Sequence, residues 1–414
     1  MIEGLRQIVD HCSEAVPLYQ ERLAVRDHQT MPSFLEWFRA VPLLDRTELL
    51  EAPESLVDPS VIPARYTCTG GTTSSPIFLQ RSSLEIELAE TAIATGLSAS
   101  GVREGTSCAV VLPFGLWNIG HLCMRAIERL GARSIPIGTM ASADAIADTL
   151  RRFKPDSLLT HPALFSSIEA SLSASGVDPS DLGIGAIFWA GEAFSDHQRA
   201  LAEAQWGALV FSLYGCEELD GIACERPGAN GLVPFADANF IEIVSLKDHS
   251  RPAGPGETGL LVVTTLLPRR MPLIRYMTGD LAVRTGGAAD AIHFSLRGRA
   301  SEALTLSDAT KIYTADIETA LRTCGIQDDI WQARLLRQPG QPFADILEIN
   351  LPVREGARNE DTLAARLSKT FSSTLDLGSD LDARKLIIRV LYKDLETFEY
   401  TQKRKLRRLI QQEE

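Results

Sequence analysis

An α/β fold is predicted for this chain, with a large N-terminal domain and a small α+β C-terminal domain, and three features predict it. Between about 105 and 215, short apolar runs alternate with helical stretches. That is the pattern of a mainly parallel sheet covered by helices. Around 240–296 the chain turns β-rich, with Gly254-Pro-Gly256 and Gly286-Gly287 marking turns. After Gly298-Arg299 a new order begins, a helix, two strands, a helix, a strand and a basic end, which sets domains at 1–298 and 299–414.

The elements follow in order. The first fifty residues read as amphipathic helices broken at Pro17, Pro32 and Pro42. Apolar runs at 61–66 and 77–79 flank a polar loop. Buried strands are expected at Cys108–Leu112, Ser134–Ile137, Ser157–Leu159, Ile184–Trp189 and Leu209–Leu213. The clearest helix is 119–130, with Ile119, Leu122, Cys123, Ala126, Ile127 and Leu130 on one face. The β-rich subdomain has Phe240–Val244, Gly259–Thr265, Leu281–Val283 and Ile292–Phe294. Beyond it come a helix (313–322), strands (330–336, 345–351), a helix (359–374), a strand (385–391) and a basic helix (403–411).

Composition limits the function classes. The 414 residues are 45% hydrophobic and carry a net charge of −13. The size suits more than one domain. The acidic balance argues against bulk binding of nucleic acid or anionic membrane. No apolar stretch approaches the ~20 residues a membrane span needs, and Glu3, Arg6 and Asp10 interrupt any signal-peptide core. The seven scattered cysteines read as buried thiols of a reducing cytoplasm. A monomer or a homodimer is expected.

Residues 67–76 read Thr-Cys-Thr-Gly-Gly-Thr-Thr-Ser-Ser-Pro. Glycines let backbone approach an anion closely, hydroxyls add donors, and such a loop can wrap a polyphosphate. It is not a Walker A loop, because no Lys-Ser/Thr follows the second glycine. By itself the stretch is equally a Ser/Thr-rich turn between strands.

Further along come Gly191-Glu192, Tyr214-Gly-Cys-Glu-Glu218, Arg275-Tyr-Met-Thr-Gly-Asp280, Gly298-Arg299 and Lys405. In this order and spacing the chain resembles the adenylate-forming ligases. It looks most like their phenylacetate-CoA ligase branch, on Pro272–Asp280, Arg129–Pro136, Phe153-Lys-Pro-Asp156 with Thr160-His-Pro162, and Val41-Pro-Leu-Leu-Asp-Arg46. The likeness runs from about 40 to 410.

The resemblance implies an ATP-dependent ligase that adenylates a carboxylic acid, an aromatic one by the pocket residues, and passes the acyl group to CoA. The acid's carboxylate attacks the α-phosphate, so catalysis is positioning and electrostatics. Thr69, Gly70, Gly71, Thr72 and Thr73 match the phosphate loop, and Glu218 the Mg²⁺ ligand. Gly191 and Glu192 match the adenine-face loop; Tyr214 and Gly215 would border adenine and acyl pocket. Asp280 matches the carboxylate that accepts both ribose hydroxyls, and Arg299 the arginine that also reaches the ribose. Lys405, with Lys403 as rival, matches the cation of the adenylation step. Phe114 and Trp117 match the acyl-pocket segment. The C-terminal domain would be a lid hinged at Ser301.

Four departures stand out. The loop reads Ser74-Ser75-Pro76 where the family has Gly-Lys-Pro, and the sequence does not name a replacement cation. Glu217 replaces Thr or Ser, putting a second carboxylate beside the metal glutamate. Ser301 takes the hinge aspartate's place, and Ala309 that of a glycine bordering the CoA channel. An amine acceptor, making the protein an amide synthetase, therefore stays open, as does a nucleotide-binding protein without turnover. His121 and His161 read as hydrogen-bonded packing histidines, and Cys216 with Cys224 makes no zinc set.

Overall fold

The computed structural model describes residues 2–24, 34–69, 76–191, 194, 196–235, 237–267, 269–287, 292–306, 311–326, 330–337, 345–353, 359–374, 386–399 and 408–411. The chain divides into two compact units. The first is Met1–Thr278 with Ala282–Leu296, and the second is Gly279–Leu281 with Arg297–Glu414.

The first unit opens with helices Ile2–Ala15, Pro17–Ala24, Phe34–Arg39 and Arg46–Glu51. Leu5, Ile8, Val9 and Cys12 fall on the inner face of the first helix, at helical spacing. Pro17 opens the second helix, where its missing N–H costs nothing. The fourth helix starts at a capping box: Asp45 accepts from the Glu48 backbone, and the Glu48 carboxylate accepts from Asp45. That box fixes where Arg46, the first helical residue, leaves the backbone.

An eleven-stranded sheet runs through the unit in the order 239–245, 259–265, 276–287, 292–299, 232–234, 220–225, 209–216, 186–190, 157–160, 107–111, 133–136. The last five strands pair in parallel, and pairing turns antiparallel between Leu209–Cys216 and Asp220–Glu225. Strand Ser107–Val111 shows why the apolar runs were continuous. Cys108 and Val110 pack into one core with Leu122 and Ile127, while Ala109 and Val111 pack into another with Ile146 and Leu150. Helices cover both faces, so no position in such a strand is left for water.

Strand Tyr276–Gly287 is longer than the expected 281–283 and carries Thr278, Gly279 and Asp280 inside it. Antiparallel hairpin Arg65–Cys68 with Phe78–Arg81 brackets the polar loop.

In the second unit a four-stranded sheet has the order Leu386–Lys393, Asp345–Pro352, Gln332–Arg337, Leu409–Gln411. Helices Thr314–Thr323 and Glu360–Thr374 supply Ile317, Leu321, Leu363 and Phe371 to its core. The basic helix expected over 403–411 is corrected at its described end: Leu409–Gln411 is a strand, parallel to Gln332–Arg337. Arg408 lies with its guanidinium 4.8 Å from the Trp331 ring centre, and its carbonyl accepts from Ala333 at 2.8 Å. Pairing an otherwise open strand edge outweighs local helix propensity there. No described helix is long and apolar enough to cross a membrane.

Candidate active site

Glu218 follows strand Leu209–Cys216 in a tight turn. A bulge at Tyr214/Gly215 shapes that turn, and Gly215 is required by close approach: a Cβ there would lie 2.2 Å from the Asp220 carbonyl oxygen. Tyr214 is buried edge-on to Phe294.

The Glu218 carboxylate is nearly buried and joins two distant segments directly and a third through Arg46. Its Oε1 accepts from Arg46 Nη1 at 2.6 Å and from the Tyr276 hydroxyl at 3.2 Å. Arg46 Nη2 donates to Thr69 Oγ1 at 3.0 Å. Thr69, the residue before the polar loop, is locked in place, since its Oγ1 also accepts from the Ile77 amide at 2.9 Å. Burial and the neighbouring Glu218 push the Tyr276 phenol well above its ordinary range, so it stays a neutral donor. Arg46 is the residue that sequence reasoning passed over. Its only signal was membership of the Val41–Arg46 stretch.

Glu217 has a different partner from Glu218. Both its oxygens accept from the Asn118 backbone N–H, at 3.0 and 3.2 Å. Asn118 is the first residue of helix Asn118–Arg129, whose N-cap residue Trp117 offers no side-chain cap. Glu217 therefore caps that helix across the fold. Burial and then Asp220 push its carboxyl up to about 8, against the pull of the Asn118 amide and Arg81. Asn118, also unforeseen, ties three segments together: its side chain accepts from Arg65 at 2.8 Å and donates to Asp220 at 2.9 Å.

The expected acid-pocket residues flank this helix start. Phe114 packs edge-on to His121, ring centres 5.1 Å apart. Trp117 is 43% exposed. The Leu116 carbonyl between them accepts from Cys68 at 3.0 Å, which couples the segment to the strand leading into the loop. His121 Nε2 accepts from Gly115, the packing role expected for it.

Gly191 has φ +83, and a Cβ there would meet His161 at 2.4 Å. It is fixed by that ring, and no described contact joins it to Glu218. In the second unit Asp280 and Arg299 are brought together, Oδ1 to Nη1 at 2.9 Å. Ser301 lies in the turn after strand Ile292–Arg299, where Ala300 donates to the Gly279 carbonyl at 2.8 Å. Gly70, Gly71, Thr72, Thr73, Glu192, Ala309, Lys403 and Lys405 lie outside the described residues.

Among the described residues no group of three or more His, Cys, Asp or Glu could hold a metal. A single buried carboxylate, linked through Arg46 to Thr69, still fits Mg²⁺, which takes one or two protein carboxylates and completes its shell with water and substrate phosphates.

No protein-family model matches the chain. Phenylacetate-coenzyme A ligase of Pseudomonas putida is 24% identical over 406 residues, covering 96% of this chain and 87% of that protein. The Aromatoleum evansii protein of the same name is 28% identical over 287 residues, covering 68% and 64%. An open-conformation crystal structure of 2-hydroxyisobutyryl-CoA ligase, with 2-HIB-AMP and CoA, superposes with TM-score 0.77 at 19% identity, covering 99% of this chain and 90% of that one. In sequence the chain is similar to these ligases, and its fold is that of the 2-hydroxyisobutyryl-CoA ligase structure. Among the adenylate-forming ligases, the likeness is to proteins named phenylacetate-coenzyme A ligase.

Proposed function

We propose that this protein is an ATP-dependent carboxylate–CoA ligase acting on an aryl acid. The observation that carries the reading is the convergence on Glu218: Arg46 and Tyr276, from two separate stretches, bond one buried carboxylate, and Arg46 ties it to the loop residue Thr69. The relatives' shared name supports CoA and an arylacetic type of acid.

In this reading the acid's carboxylate oxygen attacks the α-phosphorus and pyrophosphate leaves. The CoA thiol then attacks the acyl carbon, loses its proton to solvent and expels AMP. No protein nucleophile is needed; the chain binds, orients and stabilises charge. Mg²⁺ bound at Glu218 would neutralise phosphate charge. Thr69 through Thr73 would cradle the phosphates. Gly191, Glu192, Tyr214 and Gly215 would border the adenine. Asp280, held by Arg299, would accept from the ribose hydroxyls. Phe114 and Trp117 would line the acid site, Lys405 would serve adenylation, and the chain would hinge at Ser301 between the two half-reactions.

The test is ATP–pyrophosphate exchange across aryl and alkyl acids, followed by thioester detection with CoA. Acid-dependent exchange and a thioester are expected, with aryl acids preferred. Exchange without acid dependence, or none, leaves a nucleotide-binding protein. Exchange with an amide but no thioester makes it an amide synthetase.

A further inference from the structure

Resting on the ligase reading, we propose that Arg46 is the cation that grips the β- and γ-phosphates of ATP and the departing pyrophosphate, the role left open by the missing loop lysine. The guanidinium sits at the head of the loop, on Thr69 Oγ1 at 3.0 Å, and on the Glu218 carboxylate at 2.6 Å. It is the one described cation that bonds both. Its side chain is 34% exposed against 7% for Glu218, so it is the more open of the pair. Its remaining N–H groups donate to no described residue, and a planar five-donor fork matches phosphate oxygens.

The position is built rather than incidental. The capping box sets the start of its helix, and Leu44, two residues before, exchanges backbone bonds with Arg275 and Met277 at 2.9 and 2.8 Å. Without nucleotide, Arg46 and Glu218 neutralise each other. With Mg²⁺ held at Glu218, Arg46 would be free to donate to phosphate oxygens near Thr69. The swap keeps a buried carboxylate paired in both states.

The experiment measures binding rather than turnover, by titration calorimetry on the full chain with MgATP, magnesium pyrophosphate and AMP. Arg46→Ala should weaken MgATP and pyrophosphate about 10- to 100-fold, the scale of losing charge-assisted bonds, and AMP less than about 3-fold. Arg46→Lys should recover part of the loss, as a point charge without the fork. Equal losses for AMP and MgATP, or unchanged pyrophosphate binding, would overturn the proposal. If Arg46→Ala does not fold, Arg46→Gln with Glu218→Gln leaves no orphaned charge and is compared with Glu218→Gln alone: an unchanged pyrophosphate affinity between those two is equally fatal. If the unaltered chain binds neither ATP nor AMP, the ligase reading falls first and this proposal with it.

Discussion

Arg275 stands in the Arg-Tyr-Met-Thr-Gly-Asp motif, yet its side chain is 2% exposed and spent on the fold. It pairs with buried Glu242 at 3.1 and 3.3 Å, donates to the carbonyls of Val41 at 2.6 Å and His249 at 3.1 Å, and also reaches that of Arg39. It thus clamps the segment that delivers Arg46. Arg275→Met keeps much of the volume and removes the charge. Breaking one side of a buried pair costs about 3–5 kcal/mol, because the other charge is stranded. Burial already raises the Glu242 carboxyl, and Arg275 opposes that rise. In the variant the opposition goes and the folded-state pKa climbs further above the unfolded one. Stability is then retained where Glu242 is protonated and lost as pH rises through that pKa, so the deficit should be larger at pH 8 than at pH 5.5. Urea unfolding followed by tryptophan fluorescence at both pH values reads this directly. Arg275→Met with Glu242→Gln should recover about 1–3 kcal/mol of the single variant's loss. A single-variant loss below about 1 kcal/mol, or a double variant no better than the single, would refute the clamp.

Three more expectations follow from the site. Glu217→Ala should lose the cross-fold cap, costing about 1 kcal/mol and raising the acid's KM, while Glu217→Gln keeps an acceptor; with the carboxyl raised from 4.5 to about 8, the unaltered protein should lose stability relative to Glu217→Gln as pH rises through that window, and parallel unfolding curves would contradict it. Asp280→Ala should raise the KM for ATP strongly while the folded state persists by circular dichroism; an unchanged KM removes Asp280 from the nucleotide. Lys405→Ala should abolish adenylation yet still convert a supplied acyl-adenylate with CoA, whereas Lys403→Ala should be nearly silent; the reverse result would shift the motif register by two residues.

What could be read in advance follows from the range of the forces involved. The parallel strands were legible because burial on both faces writes a continuous apolar run into the chain. Helix Asn118–Arg129 was legible because one face repeats at helical spacing. Strand Tyr276–Gly287 was read too short, since Thr278-Gly279-Asp280 suggests a turn and pairing with the neighbouring strands Gly259–Thr265 and Ile292–Arg299 overrides it. The strand at Leu409–Gln411 was missed for a different reason: its partner, Gln332–Arg337, is far away in sequence, and a basic run carries no mark of an edge to be covered.

The site divides along the same line. Motif residues named themselves, but what they touch did not. Arg46 and Glu218 are 172 residues apart, and nothing local to either announces the other. Glu217 shows the consequence most clearly. Read along the chain, two adjacent glutamates look like one doubled metal site. Neighbouring side chains on a tight turn diverge, however, and here Glu218 turns to Arg46 and Tyr276 while Glu217 turns to the amide that opens helix Asn118–Arg129. A Thr or Ser hydroxyl at 217 has a shorter reach than a carboxylate. Glu217 thereby lets one turn hold both the Glu218 carboxylate and, through Asn118, the segment bearing Phe114 and Trp117. Loss of the acceptor at 217, as in Glu217→Ala, should therefore move acid binding and leave the Glu218–Arg46 pair in place, which is the reverse of what a second metal carboxylate would do.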